Sequence, residues 1–124
     1  MDRQLDLPTG DLDTVLGALK AAGEPTRLRI LAALREGELT VSELCRVLGQ
    51  SQPRVSRHLR LLCEASLLER HSEGTSAFYG HVRTEPGRTM LTNLLSLLDP
   101  ADPTAEADRQ RLATIRSEPV SYTH

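Results

Sequence analysis

Arg46, Ser51, Gln52, Arg54, Ser56, Arg57, His58 and Arg60 share one internal stretch, and no acidic residue interrupts Arg46 through Cys63. Guanidinium groups at that density suit phosphate oxygens. Arg, Gln, Ser and His on one helix face can also meet base edges in a major groove. The chemistry this points to is recognition, not catalysis. No Ser/His/Asp arrangement, Gly-rich phosphate loop or paired-carboxylate motif stands out, so the chain is not expected to be an enzyme.

Those side chains need two short helices and a tight turn. Val41 to Leu48 suits the first helix, because Thr40-Val-Ser-Glu43 is a capping box and Val41, Leu44 and Leu48 share a face. Gly49 sits where that helix must reverse. Ser51 can cap the second helix, and Pro53 lies in its opening turn, where a missing N–H costs nothing. The second helix is expected to run from Ser51 to about Glu64 with Val55, Leu59 and Leu62 inward. This is a helix-turn-helix, and its expected partner is double-stranded operator DNA.

The surrounding pattern completes a mainly α domain with a small β-hairpin. Leu12, Val15, Leu16 and Leu19 mark a helix from Asp11 to Ala22 that stops at Gly23. A second helix runs from Pro25 to Arg35, with Leu28, Leu31 and Leu34 as a stripe and Ile30 beside it. Leu67–His71 and Ser76–Val82 read as strands flanking the turn-forming Ser72–Thr75, the wing of a winged helix. Glu85 to Leu98 returns to helix with an apolar stripe wide enough for a partner. Asp99-Pro-Ala-Asp-Pro103 breaks it, and Thr104 to about Arg116 can form one more, mostly polar helix. The expected organisation is a flexible terminus over 1–10, a winged-helix and dimerisation domain over 11–98, and a linker with a helical tail over 99–124. A homodimer would bury Leu12, Val15, Leu16 and Leu19 against Met90, Leu91, Leu94, Leu95 and Leu98. It would present two recognition helices about 34–36 Å apart.

Composition narrows the class. The 124 residues are 39 % apolar with no Trp, one Phe and two Tyr, so the core must be aliphatic. The net charge of −2 excludes a globally basic nucleic-acid protein but allows a basic face on an acidic body. No apolar run approaches the roughly 20 residues of a membrane span, and no signal pattern opens the chain, so a cytoplasmic location is expected. Cys45 and Cys63 both border packed faces, which favours buried, inert thiols; a redox or persulfide switch would require them to approach each other with one partly exposed. Glu85–Leu98 contains no His, and no metal site is expected.

Glu24-Pro-Thr-Arg-Leu-Arg-Ile-Leu31, Glu43-Leu-Cys45, Gln50-Ser-Gln-Pro-Arg-Val-Ser-Arg-His-Leu59 and Phe78-Tyr79 resemble the ArsR/SmtB family from about Leu12 to Leu98. The resemblance implies a dimeric winged-helix repressor released from DNA by metal, metalloid, oxidant or small ligand. Asp99-Pro-Ala-Asp-Pro103 and Asp108-Arg-Gln-Arg-Leu112 through Arg116 are similar to the segment after the winged helix in regulators fused or related to S-adenosylmethionine-dependent methyltransferases. That likeness implies a small effector such as S-adenosylhomocysteine; the thiol switch at Cys45 and Cys63, or a protein-interaction module without DNA affinity, are the alternatives. Three departures from the family stand out. Ser66 replaces the usual Gly, at a cost of about 1 kcal/mol if the backbone there is left-handed. The wing tip Ser72-Glu73-Gly74-Thr75 lacks arginine. Val47 stands where the metalloid sensors' second thiol would be.

Overall fold

A computed structural model describes residues 9–118. Six helices and a small sheet follow in order: α1 Leu12–Ala22, α2 Pro25–Ala33, β1 Leu39–Thr40, α3 Val41–Leu48, α4 Gln52–Glu64, β2 Leu68–Glu73, β3 Ser76–His81, α5 Gly87–Leu95 and α6 Pro103–Ser117. Helix starts follow local chemistry. Asp11 and Asp102 cap α1 and α6 through the N–H groups of Thr14 and Ala105, and Glu24 caps α2 through that of Arg27. At α3 the box is reciprocal, Glu43 N–H donating to Thr40 Oγ1 at 3.2 Å and Thr40 N–H to Glu43 Oε1 at 2.9 Å. Residues 1–8 of the expected flexible terminus lie outside the described residues.

The sheet is antiparallel in the order β1-β3-β2. Glu73 pairs with Ser76, so the hairpin turns on Gly74-Thr75 alone, and Gly74 takes the positive φ of 61° that such a turn demands. β2 therefore runs two residues nearer the tip than the expected end at His71, whereas β3 begins at Ser76 as expected. The third strand was not anticipated: Leu39 and Thr40 pair with Tyr79 and Phe78, and two residues are too few to show alternation. His71 and His81 do not meet across the hairpin. His71 faces Glu38 at 2.9 Å, and His81 donates from Nε2 to the Leu31 carbonyl at 2.8 Å.

The core is aliphatic. Ile30 and Leu31 of α2, Leu44 and Val47 of α3, Val55, Leu59 and Leu62 of α4 and Leu91 of α5 are almost fully buried. Leu112 and Ile115 of α6 join the same cluster. The segment from Asp99 is thus not a trailing tail: α6 lies on α2 and α3 as part of the domain. Helix α5 is shorter than the periodicity implied. The Arg35 guanidinium takes the Leu95 carbonyl, and Leu97 and Leu98 continue only as tight turns onto Leu94 and Leu95.

Two backbone positions bind the wing to α5. Ser66 has φ 60°, the left-handed conformation that its replacement of Gly anticipated. Gly87 opens α5 where a Cβ would lie 2.5 Å from the Ser66 carbonyl oxygen and 2.7 Å from Val82 Cγ2. Neither neighbour can yield, one being backbone and the other a short core side chain. Gly87→Ala should therefore destabilise the domain by roughly 1–3 kcal/mol in chemical denaturation; an unchanged midpoint would show that this junction is loose.

Candidate nucleic-acid interface

Gly49 makes the turn between α3 and α4 in left-handed geometry, φ 68° and ψ 35°, its N–H donating to the Cys45 carbonyl at 2.8 Å. Gln50 ties the turn to α2 by donating from Nε2 to the buried Thr26 hydroxyl at 3.0 Å. Ser51 occupies the N-cap position of α4, but its hydroxyl makes no capping bond. The expected cap is a backbone cap only, and the Ser51 side chain remains exposed.

Val55, His58, Leu59 and Leu62 form the inward face of α4. On the other side Gln52, Arg54, Arg57 and Arg60 are exposed, with Ser56 half-buried and accepting from Gln52 Nε2 at 3.4 Å. Among the described residues, none of the three arginines makes an ion pair. Five of the eight expected contact residues (Gln52, Arg54, Ser56, Arg57 and Arg60) therefore share one acid-free helix face, with Ser51 at its head.

Two of the expected contacts do not belong there. His58 is only 9 % exposed, and its Nδ1 lies 3.1 Å from Arg27 Nη1. A guanidinium only donates, so Nδ1 accepts and the ring is neutral; burial likewise holds its pKa below the ordinary value of 6.5. Its position, three residues after Val55 and one before Leu59, marks it as inward. Arg46 is exposed but bound: Nη1 and Nη2 donate to Glu118 at 3.0 and 2.6 Å. That partner stands 72 positions away, beyond any local sequence signal.

The supporting residues were not visible in the sequence at all. Arg27 also donates from Nε to the Ala21 carbonyl at 2.6 Å, joining α1, α2 and α4 through one guanidinium. Behind α3, Asp108 accepts from Arg29 Nε and Nη2 at 2.9 Å each and from Arg111 Nη2 at 2.8 Å. Those guanidiniums also reach the last carbonyls of α3, Arg111 to Val47 at 2.7 Å and Arg29 to Leu48 at 3.3 Å. Cations at a helix C-terminus are favourable, and these two fix the end of the helix that feeds the turn.

The cysteines sit apart from this face. Cys45 and Cys63 are half-buried free thiols, and burial pushes both pKa values up. Val47, at the position a second thiol would need, is fully buried in the core. Among the described residues, no three His, Cys, Asp or Glu side chains converge as metal ligands, and no helix is long and apolar enough to cross a membrane.

Residues 24–70, from the cap of α2 to the start of the wing, match the family model described as "Bacterial regulatory protein, arsR family". An arsenic resistance transcriptional regulator of Pseudomonas putida is 35% identical over 103 residues, covering 82% of this chain and 80% of that protein. The chain belongs to the arsR family. The arsenical resistance operon repressor of Escherichia coli is 48% identical over 61 residues, but the match spans only about half of each protein, 48% of this chain and 52% of the repressor. Among solved structures, the homodimeric winged helix-turn-helix DNA-binding domain from Mycobacterium bovis superposes with a TM-score of 0.64 at 28% identity, covering 72% of this chain and 82% of that one. The winged-helix reading of the sequence therefore holds for this family member.

His58 and His81 give the interface a pH signature. Burial holds both pKa values below the ordinary 6.5, so the unfolded chain takes up protons that the fold refuses. Their contribution to stability is complete above pH 6.5 and declines as the pH falls below it. The melting temperature should drop between pH 7 and pH 5.5, and His58→Gln should shallow that slope. An equal slope in the variant would place the titration elsewhere.

Proposed function

We propose that this arsR-family chain is a sequence-specific, DNA-binding transcriptional repressor that works as a homodimer and leaves its operator when a small molecule binds. The observation that carries the reading is the outer face of α4. Arg54, Arg57 and Arg60 lie free of carboxylates there, beside Gln52 and Ser51, on a helix whose angle is set by the Gly49 turn. On this reading Gln52 and the three arginines share the contacts to base edges and phosphates. The relatives named as operon repressor and transcriptional regulator support the same role. A module binding only protein has no need of such a face.

Dimerisation follows from what α1 and α5 leave uncovered. Leu12 and Leu97 are 81 % and 80 % exposed, and Leu16 and Leu19 are exposed between them. Leu19, Met90, Leu94 and Leu97 line an apolar groove of about 280 Å³ with Ala18 and Ala22 at its base. A lone protomer would hold this surface in water, and a second copy would cover it. Leu95 is buried in the protomer's own core and takes no part; Leu91 lines the groove but is only 2 % exposed. The interface edge is Met90 and Leu94 on α5 and Leu97 just beyond it, at helical spacing, with Leu12, Leu16 and Leu19 exposed on α1; Val15 is half-buried at the margin, whereas Leu98 lies on the α2–α6 side.

The effector is a small molecule on this reading. The family resemblance of the tail makes S-adenosylhomocysteine the first compound to try. A switch at Cys45 and Cys63 fits less well, since burial favours the protonated, unreactive thiol in each.

Selection from a random duplex pool, followed by gel shift, tests the central reading. Arg54→Ala and Arg57→Ala should each weaken the selected duplex by roughly 1–3 kcal/mol with unchanged melting curves. Unaltered affinity in both variants would overturn the assignment. Leu97→Asp should sediment as a monomer and lose tight binding, because a single half-site forfeits the linked contact. A dimer that survives the substitution would move the interface away from α5.

A further inference from the structure

The described residues form a second cavity, of about 300 Å³ and partly open to solvent, that shares no lining residue with the α1–α5 groove. It lies between α2 and α6 and is closed at one end by the Leu98–Asp102 connection. Leu28 and Ala32 of α2, Leu98, and Ala105 and Leu112 of α6 give it an apolar body. Its size falls at the lower end of small-ligand pockets.

The polar groups around it are unequally occupied. Each of its three arginines is already engaged: Arg29 with Asp108 and the Leu48 carbonyl, Arg35 with the Leu95 carbonyl, and Arg109 with Glu106 and the Pro100 carbonyl. Asp108 accepts three N–H donors, two on Oδ1 and one on Oδ2. The other carboxylates keep acceptor capacity. Asp99 uses Oδ1 on the Ala101 N–H and Asp102 uses Oδ2 on the Ala105 N–H, leaving one oxygen each. Glu36 makes no hydrogen bond or ion pair among the described residues. An anion entering here would meet four carboxylates against three guanidiniums, each of which already donates to the protein. A ligand bringing N–H donors and positive charge would meet free acceptors around an apolar body.

We propose that the α2–α6 cavity binds a small cationic amphiphile, an apolar body carrying an ammonium group, and that occupancy is felt at the DNA-binding face through Asp108. Arg29 and Asp108 form one wall of the cavity, and the two guanidiniums on Asp108 hold the Val47 and Leu48 carbonyls at the end of α3. A ligand that parts α6 from α2 must displace that carboxylate and loosen the end of the helix from which the recognition turn departs. The site stands on its own geometry; its effect on DNA rests on the repressor reading above.

The test uses a matched pair of probes, 2-(1-naphthyl)ethylamine and 1-naphthylacetate, with the full chain and no DNA. The amine should raise the melting temperature and bind by calorimetry, and the carboxylate should bind at least tenfold more weakly. Ala105→Phe, which fills the cavity from α6, should lose the amine at least tenfold. Glu36→Gln, a surface change that leaves packing alone, should weaken the amine and narrow its preference over the carboxylate. Equal binding of both probes, binding of neither, or full amine affinity in a folded Ala105→Phe variant would overturn the site. In a second arm, the amine should lower affinity for the selected duplex several-fold. Amine bound in the cavity with unchanged DNA affinity would overturn the coupling, whereas a chain that selects no duplex would overturn the repressor reading and leave the probe result standing.

Discussion

The Asp108 carboxylate, on the buried face of α6, sets the geometry on which the rest of the molecule depends. It takes three N–H donors from Arg29 and Arg111, and its charge-assisted bonds raise the Arg29 pKa above its ordinary value despite the partial burial of that side chain. A buried ion pair gains little over a well-packed apolar substitute, but removing one partner strands the other at a cost of about 3–5 kcal/mol. Here the arrangement does more than join two helices. Each guanidinium spends a further N–H on a carbonyl of the last turn of α3, so the position of α6 and the end of the helix that precedes the Gly49 turn are set together. Helix α6 is thereby a structural part of the DNA-binding unit.

The same economy of polar groups shapes the α4 side. Glu24 caps α2, Arg27 bridges the Ala21 carbonyl and His58, and Gln50 meets Thr26. Together these contacts tie the N-terminal end of α2 to α1, to the turn and to α4. The residues that orient the recognition helix are thus polar and turned inward, and those that would touch DNA are polar and turned outward. Composition alone does not separate the two sets; side of the helix does.

That distinction explains what the sequence made legible. Capping residues, the Gly49 reversal and 3.6-residue periodicity placed α1 to α4 and α6 within a residue or two, because these signals act within one turn of the chain. The outward face of α4 was equally readable from Val55, Leu59 and Leu62. His58 was misplaced because its polarity was given more weight than its position on the inward face, where a neutral imidazole accepts from Arg27. Arg46 and Glu118, and Arg29 and Asp108, lie 72 and 79 positions apart, and no local pattern announces such pairs. The same holds for β1, whose two residues are strand only because β3 passes beside them. In α5 the stripe was real but double: Leu91 and Leu95 fill the core while Met90, Leu94 and Leu97 remain for another surface.

The net charge of −2 also takes on a physical meaning once the pairs are placed. Arg29, Arg46, Arg83, Arg109 and Arg111 each face a carboxylate within 4 Å, so their fields are cancelled nearby. Arg54, Arg57 and Arg60 are not cancelled, and no acidic residue lies between Arg46 and Cys63 to screen them. An acidic chain can therefore carry a positive face, because potential near a surface follows the unpaired charges and not their sum. Along α4 three such charges stand together on one exposed face. On the repressor reading, phosphate would be met by the same face that carries Gln52 and Arg54, so attraction and base contact would favour one orientation.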